Sequence, residues 1–306
     1  MRAGVLRGHG EAPVHGEHPD PVPSEGQSIV RVTAAPVVPL DLLCASGTSY
    51  FGPPDIPYVP GVQGVGVVEG TGDRVFFATS AGMSPGDGSF AEYCAVPDED
   101  LVVLDTAVPD AAVAAIGLSG VAAWMVLTWR AQLQPGERVL ALGGGGAVGQ
   151  SAIGAAKVLG AGGVVAVCRS AEARDRALAA GADNVVGVDE LDGNFDVVVD
   201  PVFGAVATAA GRLLAPGGRL VNLGGASGDE ATFSSAVLRS RSASILGYTN
   251  NALTPEQRRD ALTNVLQHAA TGAIKVAHET VPLPDISAAW HRQSAGSTVG
   301  RLVLTI

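Results

Sequence analysis

Four consecutive glycines, Gly143–Gly146, separate an apolar run ending at Leu142 from the segment Ala147-Val148-Gly149. Gly144, Gly146 and Gly149 satisfy the pattern G-x-G-x-x-G. Side chains at those positions would hold a phosphate away from the backbone amides that open a helix. The spacing therefore points to the pyrophosphate of a dinucleotide. Such a loop is weak evidence alone in a chain with 41 glycines; a strand before it and a helix after it are the context the chemistry requires. About 20 residues past the loop, a dinucleotide fold places the residue that reads the ribose 2′ position, and NADH binding favours an acid there. This chain has Cys168-Arg169-Ser170 and no acid. Arg169 can pair with a 2′-phosphate, Ser170 can donate to it and cap the next helix, and Arg174 can add a second positive charge. The expected cofactor is NADPH.

The elements around the loop supply that context. Val139–Leu142 and Val164–Val167 are continuous apolar runs, as strands buried on both faces require. Val148, Ala152, Ala155 and Leu159 form one helical stripe between them. A helix over about 171–180, strands at Val185–Val188 and Val197–Val199, and a helix over about 205–214 follow. A Gly217-Gly218 turn then leads to a strand at Arg219–Leu223 and a sixth at about 244–248. This alternation predicts an α/β fold with a Rossmann-type doubly wound parallel sheet. Ligands of such sheets bind beyond the carboxyl ends of the strands, so Asn222-Leu223-Gly224 joins Gly144, Gly146, Ala147, Val148 and Gly149 as an expected cofactor contact. Residues before Pro109 read instead as short strands broken by Pro, Gly and Asp. The expected division is 1–110 for a β-rich domain, 111–252 for the nucleotide domain, and 253–306 for a return to the first, ending in the β-like tail Arg301–Ile306.

Composition narrows the function classes. The chain has 306 residues, 47% hydrophobic and 16% charged, with a net charge of −11. An acidic surface without a basic run argues against nucleic acid and anionic membrane as partners. Ala111–Trp129 is uncharged, but its alanines and its Gly117-Leu118-Ser119-Gly120 break suit a buried helix pair better than a membrane span. Three well-separated cysteines, Cys44, Cys94 and Cys168, fit free thiols, and no leader is visible before Gly10. A cytoplasmic protein is expected.

Further landmarks occur in a fixed order: Pro60-Gly61-Val62-Gln63-Gly64-Val65-Gly66, Gly72-Asp73-Arg74-Val75, Gly88-Ser89-Phe90-Ala91-Glu92-Tyr93, Gly117-Leu118-Ser119-Gly120, Asp200-Pro201-Val202 and Gly217-Gly218-Arg219-Leu220-Val221. Over nearly the whole chain this set resembles the medium-chain dehydrogenase/reductase superfamily, in its zinc-independent NADPH:quinone oxidoreductase branch. The resemblance implies a GroES-like catalytic domain before the nucleotide domain. It also implies a homodimer in which the sixth strand, an exposed apolar edge, pairs with its symmetry mate. The catalytic-zinc ligands of zinc-dependent relatives correspond by position to Val38, Val62 and Leu118, none of which can ligate. Cys44 lies off that pattern and reads as a buried thiol, and His15-x-x-His18 as a solvated loop. No metal is expected.

The resemblance places Asp41, Tyr50 and Tyr58 in the segment that faces the cofactor, with Asp41 and Tyr50 as the catalytic candidates and Tyr248 and Asn250 as further ones. The family's Asn-Asp-Tyr set is reduced here to Asp41, with Val38 and Leu43 in the other two places. Asp41 can equally cap a helix starting near Leu42. Without a metal, an acceptor that delocalises the charge brought by a hydride is favoured, so the expected substrate is a small electrophile, a quinone or enone. An enoyl or alkenal reductase of the same fold and a non-catalytic NADPH-binding regulator are the alternatives.

Overall fold

The computed structural model describes all 306 residues, and the chain divides into two compact units, Met1–Gly117 with Ala277–Ile306, and Leu118–Val276. The first unit begins with β1 (Arg2–Val5) and β2 (Val14–Glu17), an antiparallel pair. Then come β3 (Gln27–Pro36), α1 (Pro39–Ala45), β4 (Gln63–Val68), β5 (Arg74–Ala78), β6 (Tyr93–Pro97) and β7 (Leu101–Val103). Pro39 and Asp41 open α1: proline at the first turn loses no helical hydrogen bond, and Asp41 Oδ2 accepts from the amide of Val38 at 2.8 Å.

The helix α2 (Asp110–Met125) leads from the first unit into the second and continues through a π-helical turn, Val126–Arg130. It breaks at Gly117, whose φ of 27° and ψ of −131° are not helical. A Cβ there would collide with Gln63 Oε1 and approach Phe76 to 3.1 Å, so a glycine is required on both counts. Asp110–Arg130 has the length and composition to cross a membrane, yet 72% of its apolar window is buried in the protein. The break lies where the Gly-Leu-Ser-Gly sequence predicts it.

In the second unit follow β8 (Arg138–Leu142), α3 (Ala147–Val158), β9 (Gly163–Val167), α4 (Ala171–Ala179), β10 (Asn184–Val186), β11 (Phe195–Asp200), α5 (Gly204–Gly211), β12 (Leu214–Asn222), α6 (Ser235–Arg241), β13 (Ser244–Gly247) and α7 (Pro255–Ala270). The six strands are parallel in the order β10-β9-β8-β11-β12-β13. This is the doubly wound order in which the chain changes direction between the first and fourth strands, here β8 and β11. Leu140, Leu142, Val167, Val198 and Leu220 pack its core with Ala207, Ala210 and Leu214. β12 starts five residues earlier than the glycine turn suggests; it absorbs Gly217-Gly218 as an irregularity in its pairing with β11.

The last elements, β14 (His278–Pro282), α8 (Ile286–Ser294) and β15 (Arg301–Thr305), belong to the first unit. Its main sheet runs β14-β15-β3-β4-β5-β7, with β6 also on β3. β15 pairs Val303 with Pro36 and Thr305 with Ala34, so the tail closes the sheet begun by β3. Leu302, Leu304, Ile286 and Trp290 enter its core beside Leu6, Phe77 and Phe90. The return starts at Ala277 and not at 253, because α7 buries Ala261, Leu262, Val265 and Leu266 in the second unit. The segment after it crosses α3 at Gly154, where a Cβ would lie 2.6 Å from the carbonyl of Ala273.

Candidate functional site

The glycine loop lies at the carboxyl end of β8. Gly143 takes a φ of 60°, and its turn closes with Gly146 N donating to Gly143 O at 2.9 Å. Each glycine meets a different neighbour. A Cβ on Gly144 would lie 2.6 Å from Ala166 Cβ, and one on Gly145 would lie 2.5 Å from Ala173 Cβ. A Cβ on Gly149 would strike Gly143 O and come within 2.6 Å of Gly144 Cα. Gly149 therefore lets α3 sit against its own loop; it does not clear a path for phosphate, as the motif alone suggests. Gly146 is the open position: it is exposed, and a Cβ there would meet only Gly143 O, at 3.3 Å. It is the N-cap of α3, so the amides of Ala147, Val148 and Gly149 form a first turn with no acceptor in its own helix. The sum of those amides and the helix dipole favours an anion there.

At the end of β9, Cys168 is buried, and Arg169 and Ser170 are exposed. Ser170 Oγ accepts from Ala173 N at 3.2 Å and caps α4, as its position after the strand predicts. The Arg169 side chain points into solvent, clear of any carboxylate partner. Arg174 does not join it. Its guanidinium donates to Val185 O at 2.9 Å and pairs with Glu190 at 2.9 Å, which fastens α4 to β10. Helical phase explains the difference, since residue 174 faces the sheet edge. The arginine that does reach the loop is Arg176, whose Nε donates to Gly145 O at 2.9 Å. Sequence reading missed it; the only sequence signal is an arginine two positions along the same helix, on the opposite face.

Across the direction change, Asp200 ends β11. It is buried and accepts from the amides of Val202 at 3.0 Å and Phe203 at 2.7 Å. Burial pushes its pKa up, and those two donors with Asn222 pull it back. The bonds hold Phe203 at a φ of 56°, a conformation a bulky residue seldom adopts. Asn222 Nδ2 donates to Gly224 O at 2.7 Å and Asp200 O at 3.2 Å, and Leu223 N donates to Asp200 O at 2.9 Å. Asn222, Leu223 and Gly224 are thereby tied to the Asp200-Pro201-Val202 corner. A Cβ on Gly143 would lie 2.9 Å from Val202 Cγ1, so this corner and the glycine loop stand side by side. These residues stand together in the second unit, where the sequence reading expects the nucleotide.

The candidates in the first unit are less convergent. Asp41 is 1% exposed, with Oδ2 on the amide of Val38 and Oδ1 on the amide of Val62, 3.0 Å away. Burial pushes its pKa up to about 7, against the pull of those amides and of Arg301. Arg301 is itself buried and donates to Val37 O at 3.1 Å. α1 starts at Pro39 and not near Leu42, so Asp41 is not its N-cap: it lies in the first turn, reaches back to the amide of Val38 and also holds that of Val62. Tyr50 is 80% exposed and its ring lies tilted against that of Phe51, whereas Tyr58 is 5% exposed and its hydroxyl has no partner. Tyr248 donates to Asn250 Oδ1 at 2.7 Å, and Asn250 donates to Leu118 O at 3.1 Å in the second unit. Cys44 is buried, and burial, then the nearby Asp41, raises its thiol pKa to about 11.

A zinc site of the dehydrogenase type does not fit these residues. Val38 and Val62 are buried and use their backbone amides to hold Asp41. No three His, Cys, Asp or Glu side chains gather as a metal ion would require.

Comparison with known proteins finds two family domains along the chain. Residues 24–106 match the alcohol dehydrogenase GroES-like domain, and residues 159–304 match the zinc-binding dehydrogenase domain. Over 303 residues the chain is 30% identical to a polypeptide of the phenolphthiocerol/phthiocerol polyketide synthase of Mycobacterium tuberculosis, covering 93% of this chain and 14% of that much longer protein. It is 28% identical over 275 residues to the mitochondrial enoyl-[acyl-carrier-protein] reductase of Rattus norvegicus, covering 78% of this chain and 72% of that one. The quinone oxidoreductase of Thermus thermophilus, solved alone and with NADPH, superposes at a TM-score of 0.85 with 29% identity over the full length of both chains. With the strand order, the glycine loop and both domain matches in place, the chain belongs to the medium-chain dehydrogenase/reductase superfamily, in its quinone oxidoreductase branch.

Proposed function

We propose that this protein is a zinc-independent, NADPH-dependent oxidoreductase that reduces quinones or other activated double bonds by hydride transfer. The observation that carries the reading is the end of β9, where an unpaired, exposed Arg169 and the cap Ser170 replace the acid that would select NADH. When bound, NADPH supplies the hydride. The chain's own residues do the holding. The Ala147–Gly149 amides take the pyrophosphate, Arg169 and Ser170 the 2′-phosphate, and the tied Asn222-Leu223-Gly224 corner limits where the nicotinamide half lies. Val38, Val62 and Leu118 at the metal-ligand positions offer no ligand for a Lewis acid that would stabilise a ketone's developing alkoxide, so a conjugated acceptor that spreads the charge is the better match. Catalytic parts for Asp41 and Tyr50 belong to this proposal, with Tyr50 the freer to move toward a substrate.

A second reading, reduction of an α,β-unsaturated thioester, is favoured by the similarity to an enoyl-[acyl-carrier-protein] reductase over most of the chain. Rates of NADPH oxidation with 1,4-benzoquinone and with crotonyl-coenzyme A separate the two. Faster quinone turnover is the expected result, and thioester turnover alone would transfer the assignment to the second reading.

A further inference from the structure

We infer that Gln150 and Arg176 are positioning residues that set the pyrophosphate loop, an inference that rests on the dinucleotide reading of this crevice. In an unbroken helix the carbonyl of Gly145 would accept from the amide of Gly149, four residues on. Here that carbonyl accepts Nε2 of Gln150 at 2.9 Å and Nε of Arg176 at 2.9 Å, and α3 starts two residues later, at Ala147. Two side-chain donors from different helices, α3 and α4, thus hold one peptide oxygen. Gln150 is 2% exposed, so its amide is committed to the interior, and a hydrogen bond there is protected from water. Ala173 closes the other side, since a Cβ on Gly145 would lie 2.5 Å away from it.

The consequence is directional. With the Gly145 carbonyl turned inward, its negative end is withheld from an arriving phosphate, and the amide of Gly149 stays free beside those of Ala147 and Val148. Releasing the carbonyl would let it bond to the Gly149 amide and remove one phosphate donor. Arg176 also brings a positive charge next to the loop, without being at the 2′-selecting position held by Arg169. The device therefore acts on the pyrophosphate that NADH and NADPH share.

Titration calorimetry with ADP-ribose, which carries the pyrophosphate, and with adenosine 2′-monophosphate, which lacks it, tests this on the intact protein. Gln150→Leu should weaken ADP-ribose about 3- to 10-fold and Arg176→Gln about 10-fold or more. Binding of adenosine 2′-monophosphate should change little, and Arg176→Lys, which keeps a donor, should recover much of the loss. The double variant should lose less than the product of the two single losses, because both act on one carbonyl. Equal weakening of both probes would show a general structural effect and overturn the inference, as would weakening of adenosine 2′-monophosphate alone or no change in either. If the wild type binds ADP-ribose but prefers NADH, the NADPH reading falls while the ADP-ribose comparison still decides this inference. A wild type that binds no nucleotide overturns both.

Discussion

At the scale of single residues, the structure separates glycines that look equivalent in the motif. Gly149 is packed against Gly143 and Gly144, so Gly149→Val should deform the loop and lower stability by about 1–3 kcal/mol, visible as a lower thermal midpoint. Gly146→Val is the better probe of ligand access, because that position is exposed and already has a φ of −80°. It should fold with a near wild-type midpoint and lose nucleotide binding; normal binding by that variant would remove the loop from the site. Arg169→Ala should weaken NADPH about 10- to 150-fold, the worth of one charged hydrogen bond, and leave NADH nearly unchanged. Fluorescence titration with both nucleotides reads this, and equal losses would show that Arg169 does not select. The place of Arg169 at the end of β9 was legible in the sequence because it lies at a fixed distance along the chain from the loop. Arg174 and Arg176 were not separable in that way. Which arginine faces the loop depends on the turn of α4 and on Glu190, a partner from beyond β10.

At the scale of elements, Asp41 links α1 to the segment before β4, and it should make that link pH-dependent. Its folded-state pKa of about 7 stands above the ordinary value of 3.8, so between those pH values the folded protein binds more protons than the unfolded chain. The stability associated with this proton is complete below about pH 4 and lost as pH rises through 7. Urea unfolding at pH 5 and pH 7.5 should therefore show a larger decline for the wild type than for Asp41→Asn; equal declines would mean that the carboxyl stays ionised throughout. Element identities in the second unit were readable because buried parallel strands are short valine runs between alanine helices. Two boundaries were not. β12 continues through Gly217-Gly218 because β11 pairs with it on both sides of the irregularity, and α7 stays with the second unit because Ala261, Leu262, Val265 and Leu266 are buried there and the segment after it packs on α3 at Gly154. Both are decided by partners distant in sequence.

At the scale of the whole molecule, β13 ends the six-stranded sheet with an open edge, and such edges pair or are covered in soluble assemblies. We propose a two-fold dimer through this edge, and light scattering at micromolar concentration should return twice the chain mass of 30.7 kDa. A monomeric mass would contradict it. The order of landmarks from Pro60 to Val221 made the superfamily legible, whereas the substrate was not, because the polar residues expected around Asp41 are replaced by Val38 and Leu43 and no other motif takes their place. The central claim, metal-free reduction of a conjugated acceptor with NADPH, is tested most directly by nucleotide oxidation in the presence of excess chelator. The acceptors are 1,4-benzoquinone, phenanthrenequinone, an enone and a simple ketone, each with NADPH and with NADH. Turnover of the conjugated acceptors with NADPH, undiminished by chelator, is the predicted result; turnover confined to the ketone, or abolished by chelator and restored by zinc, would contradict it.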